Sequence, residues 1–117
     1  MPDLNDYSAR CHTANRTWWT DLDTGERKNR NVGELLMLCV SELAEAMEGH
    51  RKSLPDDKLP NRDMFTVELA DCLIRVFDLA GALKLDLNGA FEEKMTYNAI
   101  RADHKPENRK LNGGKKY

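Results

Sequence analysis

The sequence predicts an all-α protein, an antiparallel bundle of about four helices completed by oligomerisation. Three observations carry that prediction. Strand signal is nearly absent, and the apolar residues instead recur in four helical segments separated by short connections rich in Pro, Gly and Asp. Short connections between helices favour antiparallel neighbours. The second segment is apolar on more than one face, so it needs burial on several sides, and a helical chain of 117 residues often meets such a need by association.

The first helix is expected over Leu4 to Thr20, opened by Pro2-Asp3 and stopped by the turn-rich run Asp21-Leu22-Asp23-Thr24-Gly25. The second runs from Val32 to Lys52, with Asn31 as its N-cap. Ser53 to Pro60 is a loop, because two prolines and a charge cluster forbid helix continuation. The third helix is expected from Asn61 or Arg62 to Lys84, with Gly81-Ala82 as a point of close helix approach. The fourth starts at Asp86 or Asn88 and reaches His104, ahead of Pro106. The whole reads as a single domain over residues 1–117 with a basic tail at 105–117.

A net charge of -2 provides no global field for nucleic acid or a membrane surface. The three cysteines Cys11, Cys39 and Cys72 lack paired spacing, which argues for reduced thiols and a cytoplasmic setting. The N-terminus carries no charged-then-apolar leader, and no apolar run approaches a membrane span. A soluble protein with no membrane partner, and with nucleic acid an improbable one, is expected.

The chemistry concentrates in two carboxylate pairs, Glu42-Leu43-Ala44-Glu45 and Glu68-Leu69-Ala70-Asp71. Spacing of i, i+3 turns both members of a pair to one side of a helix. Glu42 and Glu45 fall in the same angular sector as Leu35 and Leu38, so a solvated face fits them poorly. Glu68 and Asp71 share a face with Arg75 and Asp78, either a polar stripe or a partly neutralised network. Four acids converging in a helical core repel one another and are costly to desolvate. A hard divalent cation removes the conflict, and an all-oxygen ligand set selects Mg²⁺ or Mn²⁺. Carboxylate-bridged di-iron bundles need Glu-x-x-His, and no Glu here is followed by His at that distance. Magnesium commonly joins protein carboxylates to substrate phosphates, which points to phosphate chemistry.

Lys94, Asn98 and Arg101, at i, i+4 and i+7, form one stripe able to bind phosphate oxygens. Alone, the same spacing fits a solvated face in which Glu92 or Glu93 pairs locally. Trp18-Trp19 offers one base-stacking ring, with Asn15 and His12 about one and two turns earlier, while the other ring belongs to the core. His12 is equally well read as a structural, hydrogen-bonded histidine.

These residues resemble the MazG-like all-α nucleoside triphosphate pyrophosphohydrolases, whose signature is ExxE followed by ExxD. Here 22 residues separate Glu45 from Glu68. The surroundings of both pairs, the Lys94-x-x-x-Asn98-x-x-Arg101 stripe and the ending Gly113-Gly114-Lys115-Lys116-Tyr117 resemble the compact single-domain branch found in phage and bacteria. Asn112 departs from that branch, in which His often precedes Gly-Gly-Lys. The resemblance implies hydrolysis of (deoxy)nucleoside triphosphates to monophosphate and pyrophosphate, in nucleotide-pool control or housecleaning. It implies Mg²⁺, with Mn²⁺ as a substitute, held by Glu42, Glu45, Glu68 and Asp71. Glu42 or Glu45 would orient the attacking water or take its proton. Lys94, Asn98 and Arg101 would neutralise phosphate charge, and His12, Asn15 and Trp18 would line the base pocket. It also implies a homodimer or dimer of dimers. The competing expectation is a non-catalytic, metal-stabilised oligomerisation or regulatory module. A weaker one is a nucleic-acid partner that uses the basic tail.

Overall fold

The computed structural model describes residues 1–117 and is all-helical. Five α-helices follow in order: α1 (Leu4–Asn15), α2 (Val32–Lys52), α3 (Met64–Ala82), α4 (Leu87–Ile100) and α5 (Pro106–Arg109), with short 3₁₀ turns at Arg16–Trp19 and Ala102–His104. The chain forms two compact units, Met1–Leu85 and Asp86–Tyr117. No helix is both long and apolar enough to cross a membrane.

In the first unit each helix starts at a side-chain cap. Asp3 and Asp6 form a reciprocal capping box on α1, Asn31 accepts from the Glu34 N–H on α2, and Asp63 accepts from the Thr66 N–H on α3. The α1 helix is shorter than the sequence predicts. It gives way at Asn15 to a 3₁₀ turn through Trp19, and the chain then doubles back through a bridge between Thr20 and Arg27. Asp21 stabilises that reversal by accepting from the N–H groups of Asp23 and Thr24, and Gly25 takes the left-handed conformation the turn needs. The second helix matches its expected span. It ends at Ser53, which is left-handed, and the following loop is organised by buried Asp56, which accepts from the N–H groups of Lys58 and Leu59. The third helix begins at Met64 rather than at residue 61 or 62, because Asp63 is its cap.

The α3 helix packs against both α1 and α2. Contacts run in opposite order along each pair. Gly49 abuts Met64, Glu42 meets Arg75, and Leu35 clusters with Leu79 and Ala82. On the other side Ser8 abuts Gly81 and His12 meets Asp78. Both neighbours of α3 are therefore antiparallel to it. The Gly81 position lies so close to the Ser8 backbone that a Cβ there would collide with the Ser8 carbonyl oxygen, the close approach expected at that glycine. The buried apolar cluster is small: Trp19, Leu35, Leu79 and Ala82, with Leu38 against it. Its size reflects how much of the apolar surface of α2 and α3 faces outward.

In the second unit Asp86 caps α4, accepting from the Gly89 N–H. The helix stops at Ile100 rather than continuing to His104, because Arg101 turns extended and its guanidinium pairs with Asp103. Pro106 does not terminate a helix. It stands in the first turn of α5, where its missing N–H costs nothing.

Candidate metal and anion site

Glu68, Asp71, Arg75 and Asp78, at i, i+3, i+7 and i+10, form one charged stripe along α3, in which Arg75 meets α2 and Asp78 meets α1 and its 3₁₀ turn. From α2 the stripe receives Glu42. One carboxylate oxygen each from Glu42, Glu68 and Asp71 lies within 4.8 Å of the others, the spacing of a shared cation site. Glu42 and Glu68 are buried and Asp71 is partly so. The Glu68 Oε2 atom is buried without a hydrogen-bond partner. An acceptor withdrawn from water with nothing to accept from is unfavourable, and a bound cation relieves it.

Electrostatics separates the acids. Glu68 is pushed up to about 8 by its hydrogen bond with Glu42, then by burial and by the adjacent Glu45. Burial alone would raise Glu42 as well, but hydrogen bonds with Glu68 and Arg75 and the Arg75 charge outweigh it and hold Glu42 below its ordinary value. Asp71 is raised by burial and then by the charge of Glu42. The cluster therefore keeps a proton on Glu68 at neutral pH and its negative charge on Glu42, where Arg75 Nε donates to Oε1 at 3.0 Å. The chemistry suits an all-oxygen cation, which would take over the roles of that proton and of Arg75.

The four predicted ligands are not equivalent. Glu42, Glu68 and Asp71 converge, while Glu45 is exposed at the edge of the cluster, close enough to Glu42 and Glu68 to affect both. A helix advances 100° per residue, so the i+3 step from Glu42 turns Glu45 about 60° away from the buried line.

The cluster opens into a cleft of about 400 Å³ whose lining includes Asn15, Trp18, Arg30, Glu42, Asp71 and Arg75. Two of the three base-binding candidates, Asn15 and Trp18, thus share a cleft with two of the acids. Trp18 is 65% exposed, whereas Trp19 is 4% exposed and belongs to the core. His12 takes the structural role instead of lining this cleft. Its Nδ1 lies 2.9 Å from Asp78 Oδ1, and Arg27 approaches its Nε2 at 3.4 Å. Asp78 also accepts the Trp19 indole N–H and itself lines the cleft, so His12 and Trp19 support one residue of the cleft wall. Arg27 and Arg30 both lie over the Trp19 ring, at 5.4 and 5.2 Å from its centroid.

Arg30 was not among the residues the sequence singled out. It lies in the connection before α2, outside any helical periodicity, and only the fold-back of residues 20–31 brings it to the cleft. Arg75 and Asp78 were visible as a polar stripe, but their separate partners were not.

The phosphate-binding candidates Lys94, Asn98 and Arg101 lie in the second unit. Lys94 Nζ stands 4.8 Å from the Tyr97 ring centroid, and Arg101 is paired with Asp103. Asn98 Oδ1 is buried without a partner. The basic tail is internally tied, with the Arg109 side chain donating to the carbonyls of Lys115 and Lys116.

Compared with known proteins, the chain matches no family model, and neither a curated protein nor a solved structure is significantly similar to it.

Proposed function

We propose that the protein hydrolyses (deoxy)nucleoside triphosphates to the monophosphate and pyrophosphate with Mg²⁺, or Mn²⁺ in its place. One observation carries the reading. The carboxylates of Glu42, Glu68 and Asp71 converge within 4.8 Å, with an orphaned Glu68 oxygen, at the end of a cleft that also holds Trp18, Asn15 and two arginines. Carboxylates alone describe a cation site. Carboxylates beside Arg30, Arg75 and an exposed indole describe a site for a cation chelated by an anionic, flat-ringed ligand. The paired ExxE and ExxD spacing and its family resemblance point the same way.

In this reading Glu42, Glu68 and Asp71 hold the metal, with Glu45 completing the set from the rim. The metal, when bound, supplies charge neutralisation of the phosphate chain and a bound water of lowered pKa. Overall, water adds to one of the two phosphorus atoms of the α–β bridge, its P–O bond to the bridging oxygen breaks, and the bridging oxygen leaves with the bond pair, giving monophosphate and pyrophosphate. The proton lost by the water is accepted by a carboxylate oxygen that the metal does not occupy, for which exposed Glu45 has the freer oxygens, with Glu42 the other candidate. Asn15 and Trp18 border the base, and His12 acts on that border through Asp78 rather than by contact. Lys94, Asn98 and Arg101 are proposed to add phosphate contacts. A cytoplasmic role in nucleotide-pool control or housecleaning follows from the activity.

The functional molecule is proposed to be a homodimer or dimer of dimers of helical bundles. Leu36, Val40, Leu43 and Met47, at i, i+4, i+7 and i+11 on α2, are between 46% and 56% exposed along one face. The same stripe favours the second reading, a non-catalytic oligomerisation or regulatory module in which the metal only stabilises.

Chromatographic assay of canonical and modified nucleotides with Mg²⁺ tests the activity. Pyrophosphate release that disappears in Glu45→Ala and Glu68→Ala, with helicity retained, is the expected result. Absence of release across the whole panel would overturn the enzyme reading and leave the module.

A further inference from the structure

Arg75 is the only cation hydrogen-bonded to the acidic cluster, and it is engaged there through Nε alone. Its terminal amino groups form no hydrogen bond, and the side chain, 41% exposed, lines the cleft that the cluster opens into. Its partner oxygen belongs to Glu42, one of the three carboxylates whose ligand atoms converge. A divalent cation taken up by that set competes with the guanidinium for Glu42. The two positive groups would also repel at this range. A long, half-exposed arginine can turn away from Glu42 and still reach into the cleft it already lines. The buried, unpartnered Glu68 Oε2 beside it is the independent sign that the cluster is built for something more than Arg75.

Resting on the cation-site reading above, we propose that Arg75 is a placeholder cation and ligand-binding residue: it neutralises Glu42 in the metal-free protein and transfers to a phosphate of the incoming ligand when the metal takes Glu42. The two events are then coupled. The metal releases the guanidinium, and the released guanidinium strengthens phosphate binding. The reciprocal also holds, so a phosphate ligand that holds Arg75 raises metal affinity. Arg30, which lines the same cleft, has no carboxylate partner to leave and contributes a constant attraction.

The test measures Mn²⁺ binding by electron paramagnetic resonance, first with Mn²⁺ alone and then with inorganic pyrophosphate, in wild type, Arg75→Gln and Arg75→Lys. Loss of a charge-assisted hydrogen bond that competes with the metal predicts Mn²⁺ binding about tenfold tighter in Arg75→Gln. Pyrophosphate binding to the Mn²⁺-loaded protein is expected to weaken about tenfold in the same variant. Arg75→Lys keeps the charge and should stay nearer to wild type in both. Unchanged or weaker Mn²⁺ binding in Arg75→Gln overturns the placeholder role, since Arg75 would then merely position Glu42. Unchanged pyrophosphate binding overturns the transfer, as does a Lys variant indistinguishable from Gln. If wild type binds no Mn²⁺ at all, the cation-site reading itself fails, and the inference with it.

Discussion

The indole N–H of Trp19 is shared between the two carboxylate oxygens of Asp78, at 3.0 and 3.1 Å, in a buried pair that links the end of α1's 3₁₀ turn to α3. His12 joins the same carboxylate from the preceding turns. One acid thereby fixes the largest core side chain and a histidine at once. Its own burial is compensated because all its acceptors face donors.

Asp78→Ala should therefore cost more than a surface substitution. It strands a buried indole N–H and removes the partner of His12, a loss of about 3 kcal/mol on the scale for buried donors left unsatisfied. Asp78→Asn should cost less, because one amide oxygen still accepts from Trp19. Urea midpoints of the two variants check the order. A loss in Asp78→Ala of the size of an ordinary surface change would mean that the network contributes nothing.

Glu68 makes stability depend on pH with a definite sign. Its folded value of about 8 lies above its ordinary 4.5, so between these values the metal-free folded state holds a proton that the unfolded chain has lost. The contribution of this group is fully present below about 4.5, declines as pH rises through the window, and is gone above about 8. Glu68→Gln mimics the protonated form and should flatten that decline. The check is the difference in urea midpoint between wild type and Glu68→Gln in chelator, measured from the acidic to the alkaline side of the window. A difference that does not change with pH would refute the assignment. Metal uptake must displace the same proton, so Mg²⁺ should stabilise wild type more at alkaline than at acidic pH, and chelation should abolish that gain.

Gly81 supports a stability prediction from geometry alone. Alanine there would drive its Cβ into the Ser8 carbonyl oxygen and to 2.8 Å from His12 Cβ, so α1 must move off α3. Backbone and packed side chain cannot give way cheaply, and about 1–3 kcal/mol is expected for Gly81→Ala. Thermal denaturation reads it. A neutral result would mean that the two helices slide freely past each other.

Much of the helical layout was legible because its signals are local. Asn31 and Asp86 are caps that act within three residues, and Ser53 with Pro55 ends α2 where the pattern breaks, whereas the cap Asp63 places the start of α3 two to three residues later than its pattern suggested. The convergence of Glu42, Glu68 and Asp71 was legible too, since antiparallel neighbours joined by a short loop bring equal depths together. Glu45 was harder to read, because a pair motif treats its members alike while the helix turns one of them to the rim. Asp78's two partners and Arg30 were not legible. Both depend on the 3₁₀ turn and the reversal after α1, where no periodicity indicates which residue faces inward. The end of α4 was misjudged for a similar reason: a local pair, Arg101 with Asp103, outweighed a helical pattern that continued to His104.

The proposed self-association can be tested on α2. The buried line Leu35, Cys39, Glu42, Ala46 and Gly49 faces α3, and the stripe Leu36, Val40, Leu43 and Met47 lies roughly 110° round the axis from it. Four half-exposed large apolar residues on one helix face are unusual for a surface that stays wet, and a two-fold pairing of such stripes buries each against its own copy. Replacing Leu43 and Met47 together by Lys would oppose like charges across that two-fold interface while leaving the buried line untouched. Light scattering during size exclusion should report a dimer or larger for wild type and a monomer for the double variant, with helicity retained by circular dichroism. A standard interface buries about 800 Å² per partner, enough for association at micromolar concentration or below. A wild type that remains monomeric when concentrated well above that range would show that the stripe serves another purpose.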